Sequence, residues 1–74
     1  MYRISGSVLK NLRTAYPPGT RVKLIKMDDS QAPPEGTLGT VRGVDGAGSI
    51  MVSWDNGSGL SVVYGEDIIE KVTE

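Results

Sequence analysis

Residues 52–67 read VSWDNGSGLSVVYGED. Two apolar runs, one ending in Trp54 and one spanning Leu60 to Val63, flank Asp55-Asn56-Gly57-Ser58-Gly59, and the second closes on Tyr64-Gly65-Glu66-Asp67. Alternation with period two marks strands, and the Gly/Asn/Asp cluster marks a reversal. Asn56-Gly57 is the pair that accepts positive φ at both centres of a type I′ turn, so the stretch is predicted to be a hairpin. Its first arm is SIMVSW (49–54), with Ile50, Val52 and Trp54 on one face and Met51 and Ser53 on the other.

Working outward, Asp45-Gly46-Ala47-Gly48 is a second hairpin turn, and TLGTVRGVD (37–45) the strand before it. Gly39 and Gly43 within that strand imply close backbone approach or bulges where the sheet bends. TRVKLIKM (20–27) alternates Val22 and Leu24 against Arg21 and Lys23, and residues 28–36 are too rich in Pro, Asp and Gly to pair continuously. Beyond the turn at Tyr64–Asp67, residues 68–72 form a fifth short strand. Either Ile68/Glu70/Val72 or Ile69/Lys71 is its inner face. Short strands, tight hairpins and Gly-marked bends do not suit a flat sheet with exposed edges. The expected fold is mainly all-β: a small, closed, five-stranded barrel of the Src-homology-3 (SH3-like) type over residues 19–74.

Residues 1–18 read differently. VLKNLRTAY (8–16) places Val8, Leu9, Leu12 and Tyr16 within one helical face. Ser7 is the expected N-cap, and Pro17-Pro18 ends the helix. Two to three turns do not hold in water alone, so this basic arm needs a surface, either its own barrel or another molecule.

Composition narrows the chemistry. The 74 residues contain no Cys and no His, which removes disulfides, thiolate zinc sites, thiol nucleophiles and the commonest neutral-pH acid–base group. No apolar stretch approaches the ~20 residues of a membrane helix. Arg3, Asn11 and Arg13 interrupt any secretion-signal core, so a cytoplasmic protein is expected. The net charge of −1 hides an asymmetry. Arg3, Lys10, Arg13, Arg21, Lys23 and Lys26 stand in residues 1–26 without an acid, while residues 27–74 hold all nine acids against Arg42 and Lys71. The simplest consequence is that the two ends attract each other within one fold; the alternative is a basic arm for nucleic acid.

The ordered set Tyr16-Pro17-Pro18-Gly19-Thr20-Arg21-Val22, Met27-Asp28-Asp29, Gln31-Ala32-Pro33-Pro34, Gly36-Thr37, Gly39-Thr40-Val41, Val44-Asp45, Trp54-Asp55-Asn56-Gly57-Ser58 and Gly65-Glu66-Asp67 resembles a family of short bacterial proteins. It is catalogued as domain of unknown function 4314, and the resemblance runs over about residues 16–72. It implies a bacterial protein of the kind common in Gram-positive species and their mobile elements, and it names no catalytic residue. More distantly, Gly39-Thr40-Val41, Val52 to Gly57, Tyr64-Gly65 and Asp67-Ile68 are similar to the mind-bomb-type domain of ubiquitin ligases, a small protein-binding barrel. The chain departs from that pattern at Gln31-Ala32-Pro33-Pro34, where the mind-bomb type has aromatic and acidic residues.

Three chemistries remain. Trp54 and Tyr64, with Tyr16 or Tyr2, are the aromatic groove candidates for an extended or Pro-rich peptide, joined by Leu9 and Leu12 of the arm. Trp54 is read chiefly as core filler and Tyr64 as the better exposed of the set. Asp28, Asp29, Asp45, Asp55, Glu66 and Asp67 sit at turns, without the alternating spacing of a calcium loop, and no metal, other cofactor, small-molecule substrate or catalysis is expected of them. The expected function is a non-catalytic interaction module that binds a protein partner or itself. The competing function is nucleic-acid binding by Arg3, Lys10, Arg13, Arg21, Lys23 and Lys26.

Overall fold

The computed structural model describes residues 5–72. One helix, α1 (Gly6–Ala15), precedes five strands: β1 (Arg21–Lys26), β2 (Leu38–Val44), β3 (Ser49–Trp54), β4 (Val62–Val63) and β5 (Ile68–Lys71). They form one antiparallel sheet in the order β4-β3-β2-β1-β5. The sheet is open. Among the described residues β4 and β5 do not pair, so the expected closed barrel is not what forms. The helix lies on the sheet's own core instead.

Helix α1 begins earlier than its apolar periodicity suggests. Ser5, not Ser7, is the N-cap: its backbone is extended and its Oγ accepts the Val8 N–H at 3.2 Å. Ser7 falls inside the first turn because Gly6 already adopts helical backbone. At the other end the Tyr16 N–H donates to the Leu12 carbonyl at 2.8 Å, and Pro17 stops propagation. Leu12 joins the buried cluster of Val22, Leu24, Val41, Ile50, Val52, Trp54 and Val62, with Val8 and Tyr16 packed beside it.

Strands β1 and β2 are entered through the same kind of turn. In Pro17-Pro18-Gly19-Thr20 the Thr20 N–H donates to the Pro17 carbonyl at 3.1 Å, and in Pro34-Glu35-Gly36-Thr37 the Thr37 N–H donates to the Pro34 carbonyl at 3.1 Å. Gly19 and Gly36, at φ 95 and 90, supply the left-handed third position that this type II geometry requires. Each threonine hydroxyl donates to the same proline carbonyl, at 2.7 and 2.6 Å. The two turns then bond across the β1–β2 pair. Gly19 and Thr20 meet Val41, while Gly36 and Thr37 meet Leu24. The long first loop is thereby held closed at its base.

The hairpins share a second device. At 45–49 the Gly48 N–H reaches the Asp45 carbonyl and the Asp45 N–H the Ser49 carbonyl; at 54–58 the same pair of bonds joins Gly57 to Trp54 and Trp54 to Ser58. Gly48 and Gly57 have φ 86 and 94, and among the described residues no other residue type takes positive φ. Both are therefore three-residue loops, a type I turn followed by a left-handed glycine. The expected type I′ turn at Asn56-Gly57 is not formed, because Asn56 stays at negative φ and its Oδ1 accepts the Ser58 N–H at 3.0 Å.

Strand β3 has the bounds its alternation implies, and strand four is shorter than its apolar run. Ile50 pairs with Val62, and the same offset returns at the turn where Trp54 meets Ser58. Between them, an unbroken ladder would set Leu60 opposite Val52. Instead the Leu60 carbonyl accepts the Trp54 indole N–H at 2.9 Å. That indole is 3% exposed and lies over Gly39, its cross-strand partner. A Cβ on Gly39 would come within 2.7 Å of the Trp54 ring and 2.6 Å of a Val52 methyl. The second glycine singled out in β2, Gly43, stands at the register break where Arg42 is the extra residue against β3.

Pairing also fixes the last strand. Ile69 lies opposite Leu24 and Lys71 opposite Val22, so these two take the inner face and Ile68 and Glu70 the outer. Gly39→Ala is expected to destabilise the fold by about 1–3 kcal/mol, because the added methyl overpacks the core. Gly46→Ala, where a Cβ meets nothing within 4 Å, serves as the matched control and is expected to be neutral or slightly stabilising. Urea denaturation of the two variants beside wild type checks both.

Candidate functional site

Ile25, Leu38 and Met51 are exposed singly on the sheet, and the sheet's open side, between β4 and β5, also leaves apolar surface uncovered. Helix α1 covers part of it: Leu12 is buried there and Tyr16 half-buried, with the Lys71 Nζ 5.3 Å from the Tyr16 ring centre. What remains is a notch of about 210 Å³ bordered by Leu12, Tyr16, Val62, Tyr64, Ile68 and Ile69. Beside it, Val63, Tyr64 and Ile68 stay 40%, 44% and 51% exposed.

The turn that presents them is tightly fixed. The Val63 carbonyl accepts the N–H groups of both Glu66 and Asp67, at 3.1 and 3.0 Å, and the Asp67 carboxylate accepts the Val63 N–H at 2.8 Å. Gly65, at φ 90, allows the reversal. Both backbone groups of Val63 are consumed within the turn, which blocks strand addition along β4 at that residue. What Val63 offers outward is therefore its side chain.

The sequence-derived aromatic set is only partly assembled. Tyr64 is exposed, and Tyr16 and Leu9 are half-buried. Trp54 and Leu12 are buried in the core; Trp54's one side-chain polar atom is already bonded, and Leu12 borders the notch from within. Tyr2 lies outside the described residues. Sequence reasoning missed Ile68 and Val63, whose outward direction follows from pairing register.

The basic residues are likewise divided. Arg21 makes a two-pronged bond to Asp55, Nη1 to Oδ1 at 3.0 Å and Nη2 to Oδ2 at 2.7 Å, and also donates to Thr40 Oγ1 at 2.8 Å. Lys23 Nζ is 3.9 Å from Glu70. These contacts join the basic first third to the acidic remainder within one fold. Lys10 and Arg13 are exposed on α1 and Lys26 at the end of β1, while Arg3 lies outside the described residues. Among the described residues no three acids converge to hold a metal ion, and no helix is long and apolar enough to cross a membrane.

The Arg21–Asp55–Thr40 group is the most organised polar cluster among the described residues, and its geometry is that of a clasp. It ties the 54–58 turn to β1 across β2. Hydrogen bonding from Arg21, with its positive charge adding to the effect, holds the Asp55 carboxyl below its ordinary value against a smaller opposing effect of desolvation. A depressed folded-state pKa means that the clasp contributes stability above the unfolded carboxylate pKa, about 3.9, and loses it as pH falls below that value. Asp55→Asn is expected to lower Tm at pH 7 and to reduce the further fall in Tm between pH 5 and 3. Thermal melts across that range check it.

A family model described as Domain of unknown function (DUF4314) matches residues 5–72, and the chain belongs to this family. The match takes in α1 as well as all five strands. No curated protein matches the chain.

Proposed function

We propose that this member of the DUF4314 family is a non-catalytic interaction module, an SH3-like barrel left unclosed at one seam, and that the seam docks a protein partner. The strand order supports the barrel reading: a four-strand meander whose fifth strand returns to the free edge of the first. The observation that carries the functional reading is the grouping of Val63, Tyr64 and Ile68 on one fixed turn beside an apolar notch. Isolated exposed aliphatics are ordinary on a protein surface; two together, with a tyrosine, at a turn that its own backbone holds rigid form a recognition surface. The sequence likeness to a protein-binding barrel points the same way. Nucleic-acid binding is the weaker reading, because Arg21 and Lys23 already face acids of their own chain.

The test is capture from a native host extract by wild type and by Tyr64→Ala/Ile68→Thr, with and without nuclease. Both positions are exposed, so the double variant is expected to melt within a few degrees of wild type. Captured protein is expected to fall about tenfold or more, the loss of one or two central contacts, and to survive nuclease. Capture that nuclease abolishes, or that the double variant retains, contradicts the proposal.

A further inference from the structure

The β4–β5 turn has a second side. Besides bordering the apolar notch it forms one wall of a groove of about 460 Å³, whose other wall is the start of the first loop. Asp28 and Asp29 stand on the loop wall, Glu66 and Asp67 on the turn wall, and Met27, Leu60 and Val63 give the lining its apolar part. Among the described residues of the lining Lys26 is the one cation, against four carboxylates. We infer that this groove takes an extended, positively charged segment of a protein partner, an inference that rests on the interaction-module reading and names the chemistry of what is bound.

Sign and shape both select that occupant. A surplus of three negative charges over the described lining of one cleft focuses the field and attracts cations, while it repels a phosphate backbone. The carboxylates are spread over two walls, which suits several ammonium or guanidinium groups along a chain better than one metal ion. Met27 packs against the core and Val63 is 40% exposed, so the groove offers apolar surface to the stems of lysine or arginine side chains. Two of the acids are aimed by the backbone. Asp29 Oδ1 accepts the Gln31 N–H at 2.8 Å and Asp67 Oδ2 the Val63 N–H at 2.8 Å, each leaving its other oxygen for a ligand. Val63 borders the groove and is one of the exposed residues beside the notch. One segment crossing the turn therefore sets basic residues among the acids and an apolar residue against Tyr64 and Ile68.

The test uses the full chain and a labelled peptide of alternating arginine and valine, with its glutamate–valine counterpart as control, read by fluorescence anisotropy. Wild type is expected to bind the basic probe, with affinity falling steeply as salt rises, and to ignore the acidic one. Asp28→Lys/Glu66→Lys reverses one charge on each wall without touching a side-chain hydrogen bond of the fold. It is expected to weaken basic-probe binding by about tenfold or more, since two exposed ion pairs of up to ~1 kcal/mol each become repulsions. It should also begin to bind the acidic probe. Failure of wild type to bind the basic probe, or equal binding by the reversed variant, overturns the inference. If the probe fails while Tyr64→Ala/Ile68→Thr still abolishes partner capture, the charge inference falls and the interaction module stands; if neither variant alters its readout, both fall.

Discussion

The structure depends on one close approach: the Trp54 indole lying directly on the backbone of Gly39. The two residues are cross-strand partners in β2 and β3, where any side chain larger than hydrogen would occupy the space of the ring. Burying the indole brings a polar N–H into the core, and leaving that donor without a partner costs about 1–3 kcal/mol. Its partner is the Leu60 carbonyl. The bond takes Leu60 out of the β3–β4 ladder, and β4 shrinks to Val62–Val63, the strand that leads into the β4–β5 turn. A single packing choice in the core thus reaches the surface that we assign to recognition.

Strand β3 was legible in the sequence to the residue, because both of its faces alternate without interruption. Gly39 and Gly43 were legible as close-approach or bulge positions for the same reason: a glycine in an otherwise β-branched run has few other uses. The Asn56-Gly57 turn was misread. That pair permits two positive φ values, but the three-residue loop needs only one, and the Ser58 N–H gives the Asn56 side chain a partner at negative φ. The shared Pro-Xaa-Gly-Thr entry to β1 and β2 stood in the sequence at 17–20 and 34–37, yet its role appears only when the two strands are laid side by side. The shortness of β4 could not be read at all, since an indole-to-carbonyl bond leaves no periodic signal.

The candidate site was less legible than the fold. Tyr64 stood out by composition, in a chain with one Trp and no Phe. Ile68 and Val63 did not, because their direction depends on which face of β5 meets Leu24 and on where β4 ends. The charge asymmetry between the two ends of the chain is in part used up inside the molecule, through Arg21–Asp55 and Lys23–Glu70. Acids left over from that internal pairing, among them Asp28 and Glu66, border the groove. Under the proposed reading they give this small protein a sign to present to a partner, whereas Arg21 and Lys23 of β1 face acids of their own chain.

The contact between Trp54 and Gly39 is directly measurable, because this chain has a single tryptophan. In solution NMR the account requires strong cross-relaxation between the Trp54 ring and the Gly39 α-protons, with those protons shifted upfield by the ring current. It also requires the indole N–H to exchange as slowly as the amides of β2. An indole proton that exchanges at the unfolded rate, with no cross-peak to Gly39, would contradict it.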